Sequence, residues 1–204
     1  MLDGVQLEQV SEFKYLGYML DDKGTDDAEC GRKVAGAIKS LVNAKGLSLE
    51  CMRVLHESML IPVLMYGSES MVWSDEYRSK MQAVQKDNLR GVLGVRRIDK
   101  MMNEFIRELC GVEKGVKERI GESILRWFGH LERMDESRLV KRVYMGECVG
   151  NKRRSRPRTK WIKSVKLCLE KRNLGLDEAR GLVHNRNEWR GIVRGYSFLV
   201  SPCG

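Results

Sequence analysis

The chain has 204 residues, of which 42% are hydrophobic and 32% are charged, and it carries a formal net charge of +9. Such a composition is typical of a soluble globular protein with one domain or two small ones. The longest apolar run, residues 59–66, is too short to span a bilayer, and the acidic first ten residues do not resemble a secretory signal. We therefore expect an intracellular protein, in the nucleus or the cytoplasm, with no membrane partner.

Cysteines stand at six well-separated positions, with no CxxC pair and no Cys–His spacing of the zinc-knuckle kind. In an intracellular protein this pattern predicts reduced thiols and no structural zinc. No glycine-rich phosphate loop and no Ser–His–acid spacing stands out. We therefore expect no cofactor in this chain.

A β pattern is convincing only near the N-terminus. Val5 and Leu7 alternate with polar residues, and after a short break the segment from Phe13 to Leu20 alternates again. This alternation favours strands, and the Asp-Asp-Lys-Gly sequence of residues 21–24 is a turn signal after the second one. The sequence thus predicts a two-stranded hairpin.

Apolar residues at spacings of three and four predict helices in the rest of the chain. One helix is predicted over 26–45, and Ser48 caps the next, in which Pro62 should cause a bend or a break. The side chains expected to point inward from that second helix are Cys51, Met52, Leu55, Met59 and Val63. Further helices are predicted over about 75–93, 100–109, 120–134, 157–173 and 177–193.

Positive charge is concentrated between residues 152 and 166, which include eight basic residues and no acid. Residues 1–29, by contrast, hold eight acidic residues and two basic ones. A basic arm beside a packed helix indicates a grip on the phosphates of nucleic acid, and a solvated charge run is the alternative. Trp127 and Trp161 adjoin basic residues but lie on the apolar faces of their helices, so packing in the core is favoured over stacking on bases.

Two acidic pairs, Asp21-Asp22 and Asp26-Asp27, could in principle hold Mg²⁺ for phosphoryl transfer. Both pairs lie where aspartate is favoured anyway, in a polar turn and at a helix start, and no third carboxylate is evident. The turn-and-cap interpretation is the stronger one. His130 could contact a phosphate, but a packed or partly exposed histidine is favoured.

Five segments resemble, in order, segments of the non-LTR (LINE-type) retrotransposon reverse transcriptases. Residues 13–17 (FKYLG) resemble a strand of that family, and residues 66–69 (YGSE) resemble its YGSE/YGCE segment. Residues 125–134 (LRWFGHLERM) resemble its LRWFGHVxRM segment, residues 156–161 (RPRTKW) are similar to its GRPRxxW segment, and Trp189-Arg190 is similar to its final RxxWR. Each segment alone is a weak signal, but together they span nearly the whole chain and make the resemblance specific.

The resemblance implies that residues 13–17 belong to a primer-grip-like hairpin and that the following helices form a thumb. The family's catalytic aspartates lie in a YxDD hairpin upstream of the FKYLG strand, so Asp21-Asp22 is on the wrong side to be that pair. We therefore expect no enzyme activity from this chain by itself; the family activity is RNA-directed DNA polymerase, with Mg²⁺ in the complete enzyme. Ser155, in place of the usual glycine, and the lack of a CCHC knuckle depart from the family pattern.

The fold class that follows is mainly α, with an N-terminal β-hairpin, a multi-helix thumb-like bundle and a basic C-terminal helical segment. We place the primer-grip-like hairpin at residues 1–24, the bundle at 25–112, the basic segment at 113–195 and a frayed tail at 196–204. The chain would be a non-catalytic fragment of a retrotransposon polymerase, and the missing palm and fingers of that polymerase are a further expected partner.

The expected ligand is RNA, DNA or an RNA–DNA hybrid, bound as primer and template. The alternative function is a helical structural or protein-interaction module that binds no nucleic acid. The residues expected to bind nucleic acid are Lys14, Arg126, Arg133, Lys152, Arg153, Arg154, Arg156, Arg158, Lys160 and Lys163. The primer-grip-like residues are Phe13, Lys14, Tyr15, Leu16 and Gly17.

Overall fold

Helices form most of the computed structural model, which describes residues 12–15, 18–21, 33, 35–37, 40, 48–72, 75–146 and 160–195, the first two ranges by their backbone only. The mainly α class is therefore confirmed. The chain divides into two compact units: the first unit comprises Met1–Leu64 with Ser79–Glu113, and the second unit comprises Met65–Arg78 with Lys114–Gly204. The limits of the four domains predicted from the sequence stay a prediction.

Two short strands near the N-terminus, β1 (Glu12–Tyr15) and β2 (Tyr18–Asp21), are antiparallel, with Phe13 opposite Leu20. The hairpin predicted from the sequence is not supported. That prediction paired a first strand around residues 5–8 with a second strand over residues 13–20, whereas the two observed strands both lie within residues 12–21. An alternating pattern looks the same in one strand and in two paired strands, and a glycine inside it is compatible with either. Residues 1–11 and 22–24 lie outside the described part of the chain.

The first unit includes helix α1 (Leu49–Leu55), a π-helical segment (His56–Leu60) and helix α2 (Ile61–Met65) up to Leu64, and the three follow one another without interruption. The predicted Ser48 cap is confirmed, since the Ser48 hydroxyl accepts a hydrogen bond from the Cys51 amide at 3.3 Å. Of the two outcomes predicted for Pro62, a bend or a break, the break is wrong, because helical residues continue through Pro62 to Met65. A proline removes one helical hydrogen bond and crowds the preceding turn, and the wider π turn just before it relieves that crowding.

The buried face of this helical run also differs from the prediction. Cys51 and Met59 are exposed, whereas Leu60, Ile61 and Leu64 are buried. A π turn adds one residue per turn, so the spacing of three and four that holds in a regular helix no longer selects the inward side chains.

The rest of the first unit consists of helix α3 (Asp75–Leu93), which begins in the second unit, a 3₁₀ turn (Arg97–Asp99) and helix α4 (Asn103–Leu109). The limits predicted for the helix over 75–93 are confirmed. Leu89 of α3 packs with Ile106, Cys110 and Val112 in a buried cluster. Of the helix predicted over 26–45, only residues 33, 35–37 and 40 are described, and these are helical.

The second unit contains five helices in its described residues: α5 (Val116–Glu132), α6 (Leu139–Met145), α7 (Trp161–Glu170), α8 (Leu176–Leu182) and α9 (Arg186–Arg194). Helix α5 packs against α6, α7 and α9, and α7 also packs against α8. The single helix predicted over 177–193 is wrong, because Asn185 caps a new helix there by accepting from the Glu188 amide at 3.4 Å. Asparagine at such a position ends one helix and begins the next.

The core of the second unit is centred on α5, whose apolar side chains recur at helical spacing. The buried members on α5 are Val116, Ile120, Ile124, Leu125, Phe128 and Leu131, and those on the later helices are Val165, Cys168, Leu169, Ala179, Val183, Trp189 and Val193. None of the helices that the structure describes is long and apolar enough to cross a membrane.

Candidate nucleic-acid interface

Two of the motif segments meet where the ring of Trp189 crosses helix α5. Its indole nitrogen Nε1 donates to the carbonyl of Leu125 at 3.2 Å, and its ring centroid lies 5.8 Å from that of Phe128. A Cβ atom placed on Gly129 would lie 2.2 Å from Nε1 of Trp189. Only glycine therefore admits the ring at this point, which explains physically why a glycine follows Phe128.

A second pair of motif segments meets through Trp161, at the start of α7. Its Nε1 donates to the carbonyl of Glu69 at 2.8 Å, and Tyr144 contacts its ring edge-on with the centroids 6.0 Å apart. Glu69 belongs to the 66–69 segment, in which Gly67 has a φ of +64° that favours glycine. Several residues of the segments that resemble reverse transcriptases thus make contacts that stabilise the second unit.

The two tryptophans predicted to lie in the core are only partly buried. Trp127 and Trp161 are both half-exposed, whereas Phe128 and Trp189 are almost fully buried. The outer part of Trp127 lies beside exposed His130, with ring centroids 5.3 Å apart and planes inclined by 37°. Of the two neighbouring residues Trp127 and Phe128, Phe128 is therefore the one that packs in the core.

Helix α7 carries a row of lysines on its exposed side. Lys160, Lys163 and Lys166 are each exposed and recur every third residue, while Val165 and Leu169 of the same helix are buried. Residues three apart are neighbours on a helix surface, so Lys163 and Lys166 share one face of α7, and Lys160 lies just before the first turn with an extended backbone. Among the described residues, none of the three forms an ion pair. We refer to Lys160, Lys163 and Lys166 as the α7 lysine row.

The other residues predicted to bind nucleic acid have varied surroundings. Arg126 is exposed on α5, while Arg133 donates from Nη1 to the carbonyl of Val183 at 2.8 Å and so ties the end of α5 to the end of α8. Burial, together with the charge of Arg186, lowers the pKa of Arg133. Lys14 lies in β1, described there by its backbone. The other predicted residues, listed here, lie outside the described part of the chain: Lys152, Arg153, Arg154, Arg156 and Arg158.

The predicted primer-grip-like residues are only partly described. Phe13, Lys14 and Tyr15 form part of β1, where Lys14 is opposite Met19 and Tyr15 is opposite Tyr18. Leu16 and Gly17 lie outside the described residues. The role of this segment in holding a primer stays a prediction.

One cluster that sequence reasoning missed is centred on the Glu132 carboxylate at the end of α5. It accepts from Tyr144 Oη at 2.6 Å, from Lys141 Nζ at 3.3 Å and from Arg180 Nε at 3.3 Å. Burial alone would raise the pKa of Glu132, but the hydrogen bonds from Tyr144 and Lys141 outweigh it and the pKa is lowered. Burial and the bond to Glu132 raise the pKa of Tyr144 to about 12.

This cluster changes the interpretation of one basic residue. Lys141 adds to the count of positive charge in the sequence, yet it is buried and satisfied by Glu132. Its ammonium group is therefore a structural group rather than a phosphate contact. No local sequence signal distinguishes it from exposed Arg142, because its burial depends on where the end of α5 lies.

Arg172, after the end of α7, is a second structural cation. Its guanidinium donates to the carbonyl groups of Ile192 at 2.9 Å, Cys168 at 2.9 Å and Val193 at 2.8 Å. The last carbonyls of a helix lack partners within the helix, so one arginine completes the ends of both α7 and α9. The planar five-donor group of arginine suits this role, and lysine could not reproduce it.

The described part of the chain contains no cluster of three or more His, Cys, Asp or Glu side chains that could hold a metal ion. Asp21 is described by its backbone, and Asp22, Asp26 and Asp27 lie outside the described residues.

Comparison with protein-family models, with curated proteins and with solved structures finds no match to this chain.

Proposed function

We propose that this chain binds nucleic acid through phosphate contacts, as the non-catalytic primer- and template-holding part of a non-LTR type reverse transcriptase. The observation that carries the proposal is the α7 lysine row, which continues directly from the basic arm at residues 152–158. Lys163 and Lys166 are exposed on one face of α7, and Lys160 is exposed just before its first turn. A concentrated group of cations attracts a polyanion more strongly than the same charges spread over a surface.

The chemistry of the row favours binding that is independent of base sequence. Lysine ammonium groups are mobile point charges and contact phosphate oxygens without a fixed orientation. Contacts of this kind position a strand but do not identify bases. We therefore expect comparable affinities for single-stranded RNA, single-stranded DNA and the hybrid duplex, after allowance for their charge densities.

The resemblance to the reverse transcriptases supports the same proposal from a different direction. Four of its five segments contribute to two contacts within the second unit, between Trp189 and residues 125–129 and between Trp161 and Glu69. These four segments thus lie in one folded unit, whereas residues 13–17 belong to the other. The polymerase itself would require metal-binding carboxylates from outside these segments.

A second candidate function, a protein-interaction module, is favoured by the surface of helix α6. Leu139 and Val143 are each 71% exposed and Met145 is 60% exposed. Contiguous exposed apolar side chains commonly mark a contact with another protein. On this reading the lysines of α7 would only be solvated, and nucleic-acid binding would be weak and insensitive to their removal.

Salt-dependent binding to a labelled RNA–DNA hybrid separates the two candidates. In the triple variant Lys160→Ala, Lys163→Ala and Lys166→Ala, the slope of log K against log salt should become shallower by about two to three, since each phosphate contact contributes nearly one unit on a duplex. The control variant removes three exposed cations elsewhere in the second unit, Arg138, Arg142 and Arg190, and should leave most of the slope in place. An equal small change in both variants would favour the interaction module.

The basic arm is tested in the same assay. Changing Arg154, Arg156 and Arg158 to alanine should make the slope shallower by about two to three again, for DNA, RNA and hybrid alike. Melting curves from circular dichroism check that each variant is folded. Unchanged affinity and slope in this variant and in the lysine variant together would overturn the proposal.

The lack of catalysis in the isolated chain is tested by primer extension. With a primed RNA template, all four nucleotides and Mg²⁺ or Mn²⁺, we expect no product, since the family's catalytic hairpin is not among the resembling segments. Extension by the purified parent that is lost in Asp21→Asn/Asp22→Asn would show that these two carboxylates are catalytic and that the proposal understates the function.

A further inference from the structure

A cleft of about 740 Å³ in the second unit has a strongly charged lining. Residues from the start of α5, the end of α7, helix α8 and the end of α9 line it, together with Arg78 from the start of α3. Six of the lining side chains are basic and four are acidic. The volume is within the range of sites that hold a small ligand.

The Arg78 side chain is the unusual feature of this cleft. Its Nε and Nη2 atoms are buried, and neither has a hydrogen-bond partner among the described residues. A guanidinium remains charged at any ordinary pH, and buried donors without acceptors carry the full cost of desolvation. A structure keeps such a group most readily where a bound anion supplies the missing acceptors.

The surrounding charges leave the cleft short of acceptors. Lys114 pairs with Glu122, and Glu118 accepts from the Gly115 amide at 3.1 Å, so two of the acidic side chains are engaged at the start of α5. Lys117, Lys171 and Arg194 are exposed at the cleft, and none of them has an ion-pair partner within the ranges that the structure describes. Glu178 and Glu188 also line the cleft, but the basic side chains of the lining still outnumber the acidic ones.

Cys168, which also lines the cleft, does not turn it into a thiol-based active site. Burial raises the pKa of its thiol, and this outweighs the opposing effect of the charges on Arg78, Arg172 and Lys171. A protonated, buried thiol is a poor nucleophile. Its position against Gly121, where an added Cβ would lie 3.5 Å from Sγ, indicates a packing role.

We propose that this cleft is an anion site in which the Arg78 guanidinium holds a phosphate group, with Lys171, Lys117 and Arg194 at its mouth. The guanidinium offers two parallel hydrogen-bond donors to a phosphate, and the flanking cations balance the second negative charge of the phosphate. The phosphate would come either from a free phosphoester, such as a nucleotide, or from a nucleic-acid strand. The site is distinct from the α7 lysine row, and it would exist even if the chain bound no polynucleotide.

The test compares parent and Arg78→Gln by calorimetric titration of the full chain with inorganic phosphate, with adenosine monophosphate and with a short oligodeoxynucleotide, at constant ionic strength. Arg78→Gln should weaken binding of at least one probe by about 10-fold or more, as expected when a charge-assisted hydrogen bond is lost. Lys171→Gln, a milder cleft variant, should weaken the same probe by a smaller factor. Arg190→Gln, which removes an exposed cation of α9 outside the cleft lining, is the matched control and should bind as the parent does.

The pattern of losses identifies the source of the phosphate. Loss of phosphate or adenosine monophosphate binding in Arg78→Gln, with normal binding in the α7 lysine-row variant, assigns a free phosphoester. Loss confined to the oligonucleotide assigns a strand phosphate. If all three probes bind parent and Arg78→Gln equally, the anion site is wrong, whatever the salt experiment shows for the proposed function.

Unfolding without added ligand provides an independent check. Removing an unpaired buried charge should leave the melting temperature of Arg78→Gln equal to that of the parent or higher. A clear fall in melting temperature would show that Arg78 is a structural cation with protein partners, and it would overturn the proposal even if a probe bound more weakly.

Discussion

The His56 group of the first unit and the tryptophan contacts of the second unit are built from different kinds of hydrogen bond. In the first unit, His56 Nδ1 donates to Asn88 Oδ1 at 2.8 Å and Gln85 Nε2 donates to His56 Nε2 at 3.4 Å, so two buried side chains satisfy both ring nitrogens of buried His56. In the second unit, Trp161 and Trp189 donate to backbone carbonyls of other elements. The His56 group is thus held by contacts between side chains, whereas the two tryptophans are held by contacts to the backbone.

This difference explains why the tryptophan contacts can be recognised in the sequence and the His56 group cannot. A contact to a backbone carbonyl requires only one particular side chain, since every residue offers a carbonyl. Trp189 and Gly129 can therefore each be recognised in the sequence, because each belongs to a short motif. The His56, Gln85 and Asn88 group requires three particular residues 29 and 32 positions apart, and no local pattern reveals it.

The most severe test of the second unit is Gly129→Ala. The added methyl would overlap the Trp189 ring, and displacing a buried tryptophan costs about 3–5 kcal/mol of unfolding free energy. Gly181→Ala is the control, because Gly181 is an exposed helical glycine with open space around its Cβ position, and it should be neutral or stabilising by up to about 1 kcal/mol. Urea unfolding of both variants measures the contrast, and equal stabilities would show that Trp189 does not cross α5 at Gly129.

In the first unit, the π segment is tested by a neighbouring pair of residues. Leu60→Ala should lower the unfolding free energy by about 2–5 kcal/mol, because Leu60 is fully buried. Met59→Ala should cost less than about 1 kcal/mol, because Met59 is 41% exposed. The order would be reversed if this stretch were a regular helix with the face predicted from its spacing, so the same unfolding measurement decides between the two.

The side-chain group of the first unit is tested by Asn88→Leu. Removing the acceptor leaves the His56 Nδ1 hydrogen without its partner and should cost about 1–3 kcal/mol. The double variant His56→Leu/Asn88→Leu should recover part of this loss, since two matched apolar side chains need no hydrogen bond. Additive losses in the double-mutant cycle would mean that the two side chains do not interact.

The smallest effect is expected at the Glu132 cluster of the second unit. Tyr144→Phe removes one hydrogen bond to a carboxylate and should cost about 1–2 kcal/mol at neutral pH. The pKa of Tyr144 is raised from 10 to about 12 in the folded state, so its contribution is complete below pH 10 and is lost as the pH rises through 12. The stability difference between parent and Tyr144→Phe should therefore shrink between pH 10 and pH 12, and a constant difference across that range would contradict the shift.

Local signals in the sequence were sufficient for several elements. Ser48 marks a helix start because its hydroxyl satisfies an amide three residues away, and the limits of α3 follow from its acidic first turn and its apolar periodicity. The apolar face of α5 was likewise visible, since Ile120, Ile124 and Leu131 fit one helical period. These features depend on residues within a few positions of one another.

Features that depend on distant residues required the tertiary structure. The choice of Phe128 over Trp127 for the core depends on where Trp189 reaches α5, and the burial of Lys141 depends on Glu132 at the end of another helix. The exposure of the α7 lysine row and the unpartnered Arg78 nitrogens are also properties of the assembled second unit. Composition and spacing determined which residues could carry charge or form a core, because those are properties of single residues and of short segments. Tertiary packing decided which of them face a partner, a cleft or solvent, because it brings together residues that are far apart in the chain.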